Sequence, residues 1–229
     1  GFAGKERLLV DPEATKGTRG AHFAIDYYAP SFDNKYLAYG ISPGGSEESV
    51  LHVIEVATGK ETGEAIDRAQ FGPPSWTDDN RLIYNRLAKL APDAPKSEKY
   101  LRSRAYIHVI GSDPERDRAV LGPGVVPDMA LDPLATPVVF TSPGAPYAIG
   151  IIGNGNQREF SLYAAPVASL AQGVPAWRRV AGLDDEVTDA ALFGGTLYLL
   201  THRNAPHFKV LRVDLANPDL AAASVIVPA

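Results

Sequence analysis

Ser31-Phe-Asp-Asn-Lys-Tyr-Leu-Ala-Tyr39 and Trp76-Thr-Asp-Asp-Asn-Arg-Leu-Ile-Tyr84 are two versions of one pattern, a polar turn that feeds an outgoing apolar strand. Asp33 superimposes on Asp78, Leu37 on Leu82 and Tyr39 on Tyr84, always 45 residues apart. Looser copies are Leu131-Asp-Pro-Leu-Ala-Thr-Pro-Val-Val-Phe140 and Leu192-Phe-Gly-Gly-Thr-Leu-Tyr-Leu199. Each is answered by a second strand that ends in a turn: Leu51 to Gly59, Ile107 to Asp113, Tyr163 to Ala168 and Leu211 to Asn217, starting 56, 56 and 48 residues apart. A unit of about 50 residues built of several short strands has the period of a β-propeller blade. One four-stranded sheet cannot bury both its faces alone, and neighbouring copies stacked around an axis supply the missing apolar contact. The expected fold is all-β, a β-propeller of four-stranded antiparallel blades, with blade-like units at residues 20–67, 68–122, 123–180 and 181–229 of one domain. The Asp at each hairpin reads as a turn residue accepting from backbone N–H groups. Calcium would need more clustered oxygens.

The rest of the chain fits that frame. Its 229 residues suffice for one large domain or two small ones. The 21 Gly and 19 Pro are spread throughout, punctuating short runs rich in Val, Ile, Leu, Tyr and Phe. The one stretch with a helical look, Leu82 to Leu101, is cut by Pro92 and Pro95 and reads as a strand followed by a long polar loop. With 27 acidic against 22 basic side chains and no basic cluster, nucleic acid and anionic membrane are poor partners. No run approaches the ~20 apolar residues of a membrane span. The absence of cysteine excludes disulfides, thiol catalysis and cysteine-ligated zinc, and leaves the compartment open between cytoplasm and periplasm. The chain opens at Gly1 rather than Met, as expected of a processed or excised piece.

Several motifs invite chemistry. Gly40-Ile-Ser-Pro-Gly44 satisfies the G-x-S-x-G pattern of a nucleophile elbow, but that device needs a helix after Ser42. Val50 to Val56, dense in β-branched residues, follows instead, so a hairpin is expected. An α/β-hydrolase using Ser42 would also need a parallel βαβ pattern, which is missing. His22, His52, His108, His202 and His207 lack the clustering that zinc requires, and His52 and His108 read as related positions in two second strands. Glu47-Glu48 and Asp184-Asp-Glu186 are adjacent acids on loops, a solvated surface rather than a glycosidase pair. Trp76 and Trp177 read as strand-packing residues. Gly153-Asn-Gly-Asn156 is a tight polar turn with no helix behind it to bind phosphate.

Lys35-Tyr-Leu-Ala-Tyr-Gly-Ile-Ser-Pro-Gly-Gly-Ser46 with Val53-Ile-Glu-Val-Ala-Thr-Gly-Lys60 resembles the propeller of the prolyl oligopeptidase family of serine peptidases. So do Gln70-Phe-Gly-Pro-Pro-Ser-Trp-Thr-Asp78, Tyr106-Ile-His-Val-Ile-Gly-Ser112 and Leu8-Leu-Val-Asp-Pro12. Thr201-His-Arg-Asn-Ala-Pro-His-Phe-Lys-Val-Leu-Arg-Val-Asp214 is the most specific match, and Gly122 to Phe160 departs most, with Asp132-Pro-Leu-Ala-Thr-Pro137 in place of an aspartate-glycine hairpin. The resemblance implies a seven-bladed propeller that covers an α/β-hydrolase domain, admits short peptides and excludes folded proteins. Seven blades need on the order of 350 residues, so this chain matches about four of them.

What the resemblance implies is a non-catalytic, substrate-gating portion of a serine endopeptidase that cleaves short proline-containing peptides after proline. The catalytic Ser, Asp and His would lie in the hydrolase domain, its partner. No residue of this chain is assigned a catalytic, cofactor-binding or metal-binding role. The family's apolar aromatic near the proline site would fall at Val53, which is not aromatic and is not carried over. A related oligopeptidase that cleaves after basic residues is an alternative, as is a stand-alone propeller binding module. The module would have to close its ring, and neither Gly1-Phe2 nor Val225-Ile-Val227 is an obvious complement for the other. An open arc leaves apolar end faces and unpaired edges, which predicts self-association as a dimer.

Overall fold

The computed structural model describes residues 4–14 and 22–229, so the Gly1-Phe2 complement lies outside the described residues. Among the described residues, sixteen strands form four antiparallel four-stranded sheets, each strand beside its sequence neighbour. The first sheet holds β1 (Phe23–Pro30), β2 (Tyr36–Pro43), β3 (Val50–Glu55) and β4 (Lys60–Glu61). The second holds β5 (Ser75–Trp76), β6 (Arg81–Arg86), β7 (Arg104–Val109) and β8 (Arg118–Leu121). In the third are β9 (Ala135–Phe140), β10 (Tyr147–Asn154), β11 (Ser161–Pro166) and β12 (Arg178–Ala181), one residue past the expected boundary. The fourth is β13 (Val187–Phe193), β14 (Thr196–Thr201), β15 (Lys209–Asp214) and β16 (Ser224–Val227). These are propeller blades.

The apolar cores lie between the sheets. Tyr27, Ala38, Leu51, Val53 and Ile66 of the first blade pack on Trp76, Leu82 and Tyr84 of the second. Ile83, Ala105, Ile107, Val120 and Leu121 of the second meet Ala148 and Ile152 of the third. Ile149, Leu162 and Ala164 of the third meet Leu197, Leu199 and Val213 of the fourth. The central strand of the second blade is therefore buried on both faces, so Leu82–Arg86 is a continuous buried run; Ala38–Ser42 is another, and in the fourth blade β14 alternates. Both tryptophans pin a seam: Trp76 Nε1 donates to Ala29 O (2.9 Å) in the first blade, and Trp177 Nε1 to Val120 O (2.8 Å) in the second.

Three details of the repeat differ from the sequence alignment. The Ser31 hydroxyl donates to Asp33 (2.7 Å) and accepts from Tyr36 N (2.9 Å), and Asp33 accepts from Lys35 N (2.9 Å). In the second blade Thr77 plays the Ser31 part, donating to Asp79 and accepting from Arg81 N (3.0 Å). Asn34 and Asn80 occupy the same left-handed position, at φ 60° and 59°. Asp33 thus corresponds to Asp79, because the first turn is one residue longer, while Asp78 accepts from Gly144 N (3.1 Å) of the third blade. Second, Leu131–Phe140 ends in β9, the first strand of its blade, whereas the copies at Tyr36 and Leu82 are second strands; the true third copy is β10. Third, Leu37 lies opposite Ile54 and Leu82 opposite His108, so His108 matches Ile54 and not His52.

The two end faces differ. On the first blade, Tyr39, Ile41 and Ile54 pack with Val10, Phe23 and Leu37, and Arg7 Nη1 donates to Ala57 O (3.0 Å). On the fourth, Ala191, Tyr198, Leu200 and Val210 surround a shallow depression of about 120 Å³, Phe193 is 77% exposed, and β16 is exposed throughout.

Candidate functional site

The loops between second and third strands and the linkers between blades emerge on one side of the stack, and there they form a cleft of about 640 Å³. Phe71 comes from the linker before β5, Tyr100 from the β6–β7 loop, Leu134 from the linker before β9, and Leu183 from the linker before β13. Asn154, Asn156 and Gln157 come from the β10–β11 turn, where Gly155 takes φ 57°. Asp132 also lines the cleft, but its carboxylate accepts from Leu134 N (2.7 Å), so it serves the turn that starts β9. The Phe71 and Tyr100 rings meet at 6.2 Å with a 43° tilt. Tyr100 is 42% exposed and Leu134 57%. Lys99 Nζ sits 5.0 Å from the Tyr100 ring centroid and 3.1 Å from Glu48 Oε1, which ties the loop back to the first blade. Two aromatics and two leucines beside three carboxamides offer apolar contact together with both donors and acceptors, the combination that a peptide backbone with apolar side chains requires.

The residues singled out in the sequence do not converge. Ser42 is buried in β2 opposite Ala24, and its hydroxyl donates to Asp26 (2.9 Å). The chain turns through Gly44 and Gly45 into β3, an antiparallel neighbour, so no helix follows Ser42. His22 lies 3.3 Å from Glu13, His52 stacks on Tyr39 at 5.6 Å, and His207 is exposed. His108 is buried between Glu64 and Asp117. His202 bridges Glu159 (2.9 Å) and Glu186 (3.1 Å), and the bond from His202 lowers the Glu159 pKa. Asp185 accepts from Gly182 N (2.8 Å) and pairs with Arg203. Val53 is fully buried in the seam with the second blade, so an aromatic at that position would meet the core and not a peptide. Sequence reasoning passed over Tyr100, which lies in a loop without a repeat signal, and it met Leu134 only inside the looser repeat copy Leu131–Phe140 and Phe71 only within a matched segment.

A family model described as the prolyl oligopeptidase N-terminal beta-propeller domain matches residues 2–229. The chain belongs to that family. Prolyl endopeptidases of Elizabethkingia meningoseptica and Elizabethkingia miricola are each 25% identical to this propeller domain over 224 residues, 94% of the chain. The chain spans 29% of the length of these curated relatives. A structure from a mechanistic study of two prolyl endopeptidases, concerned with inter-domain dynamics in catalysis and specificity, superimposes with TM-score 0.82 at 26% identity. That match covers all of the chain (100%) and 32% of the other. Prolyl oligopeptidase B of Galerina marginata, bound to a 25mer macrocyclization substrate, shares the fold at TM-score 0.75 and 20% identity, over 95% of this chain and 31% of its own.

Proposed function

We propose that this domain is the non-catalytic, substrate-gating part of a prolyl endopeptidase-like serine peptidase that cleaves short peptides after proline. Each of the units 20–67, 68–122, 123–180 and 181–229 contributes one blade, and an α/β-hydrolase domain supplies the nucleophile, base and orienting acid. The observation that carries the reading is the cleft formed by Phe71, Tyr100, Leu134 and the Asn154–Gln157 turn, whose apolar side chains and carboxamides suit a peptide. The aromatic contribution to substrate then comes from Phe71 and Tyr100, which reach the cleft, and not from Val53. The open face of the fourth blade takes a further blade in the parent, and in the isolated chain it supports self-association.

The test has two arms. The isolated chain is treated with a fluorophosphonate probe and with a chromogenic peptide ending in proline, and neither labelling nor hydrolysis is expected. In the full-length parent, Phe71→Ala and Tyr100→Ala are expected to raise KM for short proline peptides by about tenfold, the loss of one aromatic contact, with kcat little changed. Stoichiometric labelling of the chain that Ser42→Ala abolishes would overturn the non-catalytic reading. An unchanged KM in both cleft variants would remove the cleft from the substrate path.

A further inference from the structure

At the seam between the first and second blades a buried imidazole lies between two buried carboxylates. The side chains of His108, Glu64 and Asp117 are 0%, 3% and 4% exposed. His108 stands in β7 on the face turned to the first blade, with Nδ1 2.9 Å from Asp117 Oδ2 and Nε2 3.6 Å from Glu64 Oε1. Asp117 precedes β8 of the same blade. Glu64 belongs to the first blade: it follows β4, and two residues later Ile66 bridges to Leu51. Glu64 also accepts from Gly111 N (2.5 Å) of the second blade and from the Thr62 hydroxyl. The Tyr84 hydroxyl donates to Asp117 (2.8 Å), and its ring stands edge-on to His108 at 6.5 Å.

Two buried carboxylates facing one ring favour the imidazolium: Nδ1 donates to Asp117, while Nε2, which has no hydrogen-bond partner, meets Glu64 as a charge contact. Burial opposes that charge, but the hydrogen bond to Asp117 and the charge of Glu64 beside Nε2 outweigh it and hold the His108 pKa at about 9. For Glu64, burial is likewise overcome, by the His108 ring facing it and by bonds from Thr62 and Gly111, and its pKa falls to about 2. The other charges across this seam are Arg86 and Arg68, both paired with Asp67 and Glu115, Lys99 paired with Glu48, and Asp33, which accepts from Asn80, and burial raises the Tyr84 phenol. Tyr106 stacks behind Tyr84 at 5.9 Å.

We propose that Glu64, His108 and Asp117 form a proton-operated latch across the first seam: the charged ring ties Glu64 of one blade to Asp117 of the next, and loss of its proton makes this seam open before the others. The second seam is held by Asn85 Nδ2 donating to Pro137 O (2.7 Å) and Trp177 to Val120 O (2.8 Å), neither of which changes charge. At the third seam His202 has the same two-carboxylate setting, but its side chain is 32% exposed, so water replaces what is lost there. The raised His108 pKa means that the latch is complete below the ordinary histidine value of 6.5 and is lost as pH rises through about 9. Protonation of Glu64 weakens it in the opposite direction, below the ordinary 4.5 and through about 2.

The chain has no cysteine, so single buried thiols report opening without background. Ala69→Cys places one at the first seam and Ala148→Cys one at the second, both from buried positions. The ratio of their rates with a thiol reagent cancels the reagent's own pH dependence. That ratio is expected to rise about tenfold between neutral pH and about pH 10, as local opening at one seam follows the lost ion pair. In a His108→Gln background it is expected to be high already at neutral pH and flat with pH. If that variant fails to fold, nitrogen NMR of the wild-type imidazole decides: an imidazolium at neutral pH that titrates in step with the ratio supports the latch. A ratio that stays flat in the wild type, a neutral ring at pH 7, or an unchanged pH response in His108→Gln would overturn it.

Discussion

Gly150→Ala tests whether the blades are held by close packing at their seams. Gly150 stands in β10, opposite Val139 and Tyr163, facing the second blade. A Cβ there would lie 2.5 Å from Leu121 Cδ2 and 3.2 Å from Trp177 Cζ3. Leu121 is fully buried and the Trp177 indole is fixed by its bond to Val120 O, so neither moves freely. The Gly150 backbone is not left-handed, so the penalty is steric alone, ~1–3 kcal/mol for an overpacked methyl. Leu121→Ala alone empties the same space and costs ~2–5 kcal/mol. In the double variant the new methyl enters the vacated space, so the combined loss is expected to fall short of the sum by ~1 kcal/mol or more. Urea unfolding of all four proteins, followed by circular dichroism with equal m-values, gives the cycle. Strict additivity, or a neutral Gly150→Ala, would refute the close-packed seam.

Other outcomes are as specific. Trp177→Phe keeps an aromatic ring but leaves Val120 O without its donor, at a cost of ~1–3 kcal/mol measured by urea unfolding followed by circular dichroism. The Asp33 pKa is lowered to about 2, first by the Asn80 side chain and then by Lys35 N and Ser31. Its contribution is therefore complete above the ordinary 3.8 and lost as pH falls through about 2, and Asp33→Asn should flatten the drop in Tm over that interval. On the open face of the fourth blade, Phe193→Asp combined with Leu200→Asp should turn a dimer into a monomer in native mass spectrometry, whereas a wild-type chain already monomeric would contradict self-association through that face.

The fold was legible because the turn chemistry repeats: a hydroxyl, an aspartate and a left-handed asparagine before an apolar strand recur at Ser31–Asn34 and Thr77–Asn80. The exact alignment was not, because one extra residue in the first turn shifts Asp33 from Asp79 onto Asp78 when the strands are superimposed. The third copy misled for a related reason: Asp132 caps a turn before β9 just as Asp33 does before β2, and a local turn does not say which strand of the blade follows it. The cleft was the least visible part. Phe71, Tyr100 and Gln157 are far apart in the chain and sit in connections whose lengths differ from blade to blade, so no period marks them. Glu64 and His108 were hidden similarly, since their pairing depends on which face of β7 meets the first blade.

Because the four sheets keep their apolar cores at three shared seams, the domain behaves mechanically like a row of leaned cards. A load that detaches the fourth sheet forfeits one seam and leaves two intact, whereas a break at the middle seam yields two half-stacks, each with a newly wetted face. Stretched between its ends in a force experiment, the domain should therefore shed sheets one at a time from the flanks, in steps of one repeat's contour length, and not rupture in a single event.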